Sequence, residues 1–340
     1  MPGPHPAVAA TRRAARDALA DLAARADLAA RADRAHPGPD ELVLVACSGG
    51  PDSLALAAAA AFEVPRAGLR AGAVVVDHAL QPGSARAAAD AGAACRSLGL
   101  APVEVVRVDG EQGSAFGPEG RARKARYDAL GSAAQRHGAV AVWLGHTLDD
   151  QAEQVLLGLC RGSGTRSLSG MPRARGPYVR PFLALDRATT RAACDAQGLR
   201  PWKDPTNDDP AYLRNRVRRA LADLDADLGP GLTRALARSA RLARQDADAL
   251  DDLTGRVHAR LGPAPWPTEA MAAQPAAIRG RLWRRLAEEV GAGALTSAHV
   301  AALDALVDDW RGQGPVHLPG GALGSRAADR VGIARGVREE

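Results

Sequence analysis

Lysine is scarce in this 340-residue chain, and cysteine occurs only four times. Cys47, Cys95, Cys160 and Cys194 are far apart and form no CxxC pair, so the sequence encodes no zinc or disulfide framework and suits a reducing compartment. No apolar run approaches the roughly 18 residues that span a bilayer, so no membrane partner is expected. The first 36 residues lack the unbroken apolar core of a secretory signal. Asp17, Asp21, Asp27 and Asp33 within them argue against a transit peptide, which avoids acids. The expected compartment is the cytoplasm.

With 46% hydrophobic and 24% charged residues, the chain has the composition of a globular protein. At this length it exceeds the roughly 250 to 300 residues a single core sustains, so two domains are expected. The alanine-rich start, with DLAARA twice in tandem from Asp21, favours a helical arm over residues 1–37. The net charge of +5 is unevenly spread. Between Arg161 and Arg219 thirteen Arg or Lys stand against five Asp, a footprint for a polyphosphate, with nucleic acid the leading candidate. A solvated charged face would explain that stretch equally well if it stood alone.

From about Asp40 to Leu185, apolar runs alternate with helical patterns. LVLVA (42–46), AVVV (73–76), VEVVRV (103–108) and AVAVWL (139–144) read as strands rich in Val and Leu. Such strands separated by helices predict a doubly wound α/β fold with a parallel sheet covered on both faces. Ligands in such sheets sit at the carboxyl ends of strands, and three polar loops converge there: Ser48–Ser53, Asp77–His78 and Gly145–Asp150.

The loop SGGPDS, Ser48 to Ser53, has the mechanics of an anion cradle. Gly49 and Gly50 let the backbone approach a phosphate, and the helix that follows Pro51 presents its positive end. It contains no lysine and matches neither GxxxxGK[ST] nor GxGxxG, which excludes the P-loop kinase and dinucleotide readings. Asp52 beside phosphates is repulsive unless a divalent cation lies between. After the fourth strand, GHTLDDQAEQVLL reads as a capping box, Thr147 with Asp150, that starts a helix. His146 precedes it, and Asp149, Asp150 and Glu153 occupy its first two turns. Helix starts attract acids in any protein, yet three behind a histidine at a strand end suit Mg2+ binding and proton transfer. The spacing does not fit the HExxH zinc pattern.

These motifs, with EGRARKARYDAL (119–130), SGM (169–171), RPFL (180–183) and DPTNDDPAYLRNRVR (204–218), resemble the tRNA(Ile)-lysidine synthetases, a branch of the N-type ATP pyrophosphatases of the PP-loop superfamily. The resemblance covers most of residues 42–219. It implies a ligase that adenylates C2 of the wobble cytidine, position 34, in tRNA(Ile) with a CAU anticodon, releases diphosphate, and lets free L-lysine displace AMP to leave lysidine. By that resemblance Ser48, Gly49, Gly50, Pro51, Asp52, Ser53, Asp77, His78 and Gly145 bind ATP. Asp52 and Asp150 hold Mg2+; Asp52, His146, Asp150, Glu153 and Arg123 do the chemistry, Arg123 facing phosphate. Arg214, Asn215, Arg216, Arg218 and Arg219 bind tRNA, although Asn215 reads best as a structural hydrogen bond. The implied layout is a catalytic domain over 38–219 and a helical tRNA-binding domain over 220–340, without the extra carboxy-terminal domain of longer members, and a homodimer is left open. Many relatives carry a second histidine where Thr147 stands. A thiolase of the same superfamily, or a non-catalytic ATP-dependent RNA-binding protein, are the alternatives; the first expects paired cysteines and the second does not need the acids at 149–153.

Helical periodicity covers 232–253, 276–290 and 296–310, with Trp283 placed as a core residue and Arg281, Arg284 and Arg285 beside it as candidate RNA contacts. The tail from Pro315 has the look of a short β element.

Overall fold

The computed structural model describes residues 3–30, 40–79, 81, 83–108, 118–162, 164–204, 206 and 209–336. The chain divides into two compact units, Met1–Arg241 and Leu242–Glu340.

In chain order the first unit contains α1 (Pro6–Ala30), β1 (Leu42–Ala46), α2 (Pro51–Glu63), β2 (Arg70–Asp77), α3 (Ser84–Ser97), β3 (Val103–Arg107), α4 (Pro118–His137), β4 (Ala139–Leu144), α5 (Leu148–Cys160), α6 (Thr165–Leu168), β5 (Ala174–Arg175), β6 (Tyr178–Val179), α7 (Arg187–Ala196) and α8 (Leu213–Leu228). The strand order is β3-β2-β1-β4-β6-β5. All neighbouring pairs are parallel except β5 with β6, so the expected parallel sheet ends in one short antiparallel edge. Two-residue strands carry no periodicity, and β5 and β6 escape detection in the sequence.

β1 is central and buried on both faces. Val43 and Val45 join the core that includes α1, α2 and α7, whereas Leu42 and Leu44 join the opposite core with Leu130 and Ala133 of α4. That two-sided burial is why the run is apolar without alternation. The chain leaves β1 toward β2 on one side and returns to pair β4 on the other, so the switch point of the sheet lies between β1 and β4. The loops that leave these two strands therefore diverge and open a crevice at their carboxyl ends.

α1 is helical and packed: Ala15 and Ala18 are fully buried, and the helix lies on α2 and α7. Residues 31–37 of the expected arm lie outside the described residues. The expected division after Arg219 falls inside α8, whose Val217 and Leu221 share a cluster with Ala152 and Leu157 of α5. α8 thus belongs with the sheet, and the compact units part farther on.

α9 (Leu232–Leu261) carries the chain into the second unit, which continues with β7 (Trp266–Pro267), α10 (Thr268–Ala272), α11 (Ala276–Glu289), α12 (Ser297–Asp308), β8 (Val316–His317), β9 (Ala322–Ala327) and β10 (Arg330–Arg335). The tail from Pro315 supplies the expected β element as β8, β9 and β10, and β7 joins them in an antiparallel sheet of order β7-β10-β9-β8. Its core holds Trp266, Met271, Ile278, Leu282, Trp283, Leu303 and Leu306. Trp283 is fully buried and its indole N–H donates to Asp304 Oδ1 at 3.2 Å. Arg281 pairs with Asp251, Arg284 donates to the Gly280 carbonyl, and Arg285 lies near Glu289.

Candidate active site

The loop after β1 is shaped by its own hydroxyls. The Ser48 N–H donates to Ser53 Oγ at 3.1 Å, and the Ser53 hydroxyl donates to the Gly50 carbonyl at 3.0 Å. Ser53 is buried and works inside the loop; Ser48 is exposed toward the crevice. Gly49 has φ +83, a left-handed conformation that L side chains resist, and a Cβ there would lie 3.2 Å from Ala91 Cβ. Gly50 caps α2 with extended backbone, and Pro51 and Asp52 occupy the first turn. Gly145, at the end of β4, crosses directly over this helix start: an added Cβ would sit 3.1 Å from the carbonyl carbon of Asp52 and the nitrogen of Ser53. The positive end of α2 thus faces a crevice framed by glycine backbone, a site built for an anion.

α5 begins as its capping box predicts, with the Thr147 N–H donating to Asp150 Oδ2 at 2.7 Å. Its acids then converge on a residue that sequence alone leaves as one arginine among many. Arg187, first residue of α7, donates from Nη2 to Asp150 Oδ1 at 2.5 Å and from Nη1 to Glu153 Oε1 at 3.0 Å. Its Nε lies 3.7 Å from Asp52 Oδ2. Asp149 Oδ2 accepts the Arg187 backbone N–H at 2.9 Å, so Asp149 anchors α7 rather than the reaction site. Glu153, 3% exposed, also accepts Arg218 Nε at 3.0 Å and stands behind both arginines.

Burial raises the Asp52 carboxyl above the usual carboxylate range, with Asp150 and Asp149 adding to the rise; the Thr190 hydroxyl hydrogen bond and the Arg187 cation oppose it. Asp150 moves the other way. Burial pushes it up, but Arg187 and the Thr147 hydrogen bonds hold it below the ordinary value. His146 is pushed down to about 3, chiefly by burial, against the pull of Asp150 and with Arg180 and Arg126 nearby. Its Nδ1 is buried without a hydrogen-bond partner. His78 is likewise lowered, by burial and then by Arg126.

One cavity of about 980 Å³ joins these groups. Among the expected residues, Ser48, Gly50, Pro51, Asp52, Ser53, His78, Gly145, His146, Asp150, Arg214, Asn215, Arg218 and Arg219 line it; Gly49, Asp77, Arg123, Glu153 and Arg216 do not. Asp77 is buried and its Oδ1 accepts the Ala79 N–H at 2.9 Å, shaping the loop after β2. The Arg123 guanidinium lies 5.1 Å from the Tyr127 ring centre, while Arg126, one turn on, reaches the cavity. Arg216 donates to the Pro210 and Ala211 carbonyls. Asn215 Nδ2 donates to the Thr206 and Asp209 carbonyls at 2.7 and 2.8 Å, which makes it the structural clasp at the start of α8.

Arg126 and Asp204, present in the motifs but given no role there, and Arg187, Trp202 and Lys203, outside every motif, also line the cavity. Trp202 is brought in by its backbone N–H, which donates to the Gly49 carbonyl at 2.9 Å. The SGM motif also gains a reason. Gln151 of α5 donates to the Met171 carbonyl and accepts the Met171 N–H, and a Cβ on Gly170 would fall 2.5 Å from Gln151 Oε1.

A magnesium ion is commonly held by one or two carboxylates with substrate phosphates completing the shell. Asp52 fits: Oδ1 accepts from Thr190, but Oδ2 has only the 3.7 Å approach of Arg187, and its crowded negative charge would be relieved by a dication. Asp150 fits less well, since Oδ2 accepts two hydrogen bonds from Thr147 and Oδ1 one from Arg187. Among the described residues no three His, Cys, Asp or Glu side chains form a self-sufficient metal cage.

A family described as a PP-loop ATP-binding domain matches residues 25–224, and one described as the TilS substrate binding domain matches residues 267–331. The chain is 54% identical over 331 residues to the tRNA(Ile)-lysidine synthase of Thermobifida fusca, covering 96% of this chain and 97% of that one. It is 52% identical to that of Streptomyces coelicolor, covering 98% and 100%, and 51% identical to that of Salinispora tropica, covering 96% of each. Among solved structures, the U34-tRNA thiolase NcsA from Methanococcus maripaludis shares the fold, with a TM-score of 0.50 at 18% identity over 61% of this chain and 74% of that one. A PP-loop sheet with its cradle at the switch point, followed by a TilS substrate-binding unit and matched almost end to end by such relatives, establishes that this chain belongs to the tRNA(Ile)-lysidine synthase family.

Proposed function

We propose that this protein ligates lysine to C2 of the wobble cytidine of tRNA(Ile) bearing a CAU anticodon, through an adenylated cytidine, with AMP and diphosphate as co-products. The observation that carries the reading is the single cavity in which the SGGPDS cradle, the start of α5 and the arginines of α8 meet. Diphosphate leaves as a polyanion, and the glycine backbone and helix start after β1 are suited to receive it. Asp52 would hold Mg2+, which when bound neutralises charge on the triphosphate. His146 lines the cavity and is neutral at working pH, which supports a role as an uncharged hydrogen-bonding group rather than a cation toward a substrate. Arg214 and Arg219 line the same cavity and would grip the anticodon backbone. Free L-lysine is the proposed nucleophile and the cytoplasm the proposed compartment. No helix among the described residues is long and apolar enough to cross a membrane.

The direct test is nucleoside mass analysis of tRNA(Ile) after incubation with the protein, ATP, Mg2+ and isotopically labelled lysine. Labelled lysidine at position 34 is expected, and its absence under ATP turnover would sink the reading. Asp52→Asn should slow adenylation by roughly 100-fold or more while tRNA affinity stays within a few-fold. Full activity in that variant would remove Asp52 from the metal site.

A further inference from the structure

Adenyl transfer places charge on the α-phosphate, and a fixed cation there lowers the barrier most when its position is set in advance. The A-R-x-x-R-Y pattern nominates Arg123, yet Arg123 does not line the cavity. Arg187 does. It lies beside Asp52, in the first turn of the cradle helix, and three carboxylates from two other helices engage its guanidinium. A fourth, Asp149, fixes its backbone N–H, and its side chain is 17% exposed, on the cavity side.

A cluster of buried ion pairs could serve stability alone. Such clusters seldom gain much over apolar packing, because desolvation offsets attraction. The arrangement here is also directional. Glu153 is buried and absent from the cavity wall, whereas the two arginines it holds, Arg187 and Arg218, both reach that wall. Glu153 supports from behind, while Asp52 and Asp150 share the cavity wall with the guanidinium, which is planar and permanently charged.

We propose that Arg187 is a catalytic residue that contacts the α-phosphate of ATP during adenylation; the inference rests on the ligase reading above. In that step the C2 oxygen of cytidine bonds to the α-phosphorus, and the bond from that phosphorus to the oxygen bridging to the β-phosphate breaks. The electron pair departs with diphosphate. Arg187 transfers no proton and stabilises the non-bridging oxygens as charge builds.

The test compares ATP with its α-thio analogues, sulfur replacing one non-bridging α-oxygen, in wild type, Arg187→Gln and Arg187→Lys, by tRNA-dependent diphosphate release with Mg2+. The wild type should prefer oxygen in at least one diastereomer. Arg187→Gln should release diphosphate roughly 100-fold more slowly, with the Kd for tRNA within about threefold, and should lose most of that preference. Arg187→Lys should recover part of both. The oxygen-to-sulfur ratio is taken within one preparation, so a smaller folded fraction cancels, and a purely structural role would leave it unmoved. A wild type indifferent to sulfur, or a ratio unchanged in Arg187→Gln, overturns the assignment and leaves the ligase reading standing. A wild type that releases no diphosphate in the presence of tRNA(Ile) overturns both.

Discussion

His146 shows how burial selects a protonation state. Its folded pKa near 3 lies far below the ordinary histidine value of about 6.5, so between those limits the unfolded chain binds more protons than the folded one. Stability therefore falls as pH drops from about 6.5 toward 3. Between pH 7.5 and pH 5 the group should account for at most about 2 kcal/mol, the ceiling set by linkage. Denaturant melts of wild type and His146→Asn at the two pH values check this, and the acid loss should shrink in the variant. An equal loss in both would mean that the imidazole is solvated. At this scale the expected roles divide according to what each side chain can reach. Asp52, His146 and Asp150 were legible because they sit within six residues past a strand end, in the loop or the first turn of the helix that follows. Glu153 shares a helix face with Asp150, but the spacing could not say that this face looks toward Arg187 and Arg218. Arg187 itself was invisible as a site residue, since its meaning comes from carboxylates more than thirty residues away in sequence.

The elements meet at backbone distances that leave no spare volume. Gly145→Ala would press a methyl into the backbone of Asp52 and Ser53, so the start of α2 must shift. A loss of about 1–3 kcal/mol is expected, as for other overpacking, together with a KM for ATP raised tenfold or more. Unchanged ATP affinity would show that the crossing of β4 over α2 does not shape the cradle. At the start of α8, Asn215→Ala removes the donor to two carbonyls, for an expected loss of about 1–3 kcal/mol, read by thermal or denaturant unfolding. Here the chain was legible where physics is local. β1 and β4 match their apolar runs and β2 differs from its run only at the ends, because strands buried on both faces need continuous apolar residues; β3, at the sheet edge and only partly buried, differs from its run by one residue. α5 and α12 begin at the capping residues Thr147 and Thr296. β5 and β6 were not legible, since pairing with a neighbour defines them.

At the scale of the molecule, the basic stretch from Arg161 to Arg219 is less uniform than its charge suggests. Arg180 is buried and donates to the Pro172 carbonyl, and Arg187 and Arg218 are held by acids. Arg214 and Arg219 line the cavity and are the sharper test of the RNA face. Replacing both with alanine should weaken tRNA binding and reduce the slope of log affinity against log salt by roughly one to two. An unchanged slope, measured by filter binding across a salt series, would place the phosphate contacts elsewhere. The hydrogen bond from the Trp202 N–H to the Gly49 carbonyl has a consequence in time as well as in space. Synthesis runs from the amino terminus at about 5–20 residues per second, so β1 to β4 are all made before the residue that fastens the glycine loop. A nascent chain arrested ahead of Trp202 has its central strands but lacks this fastening of the cradle.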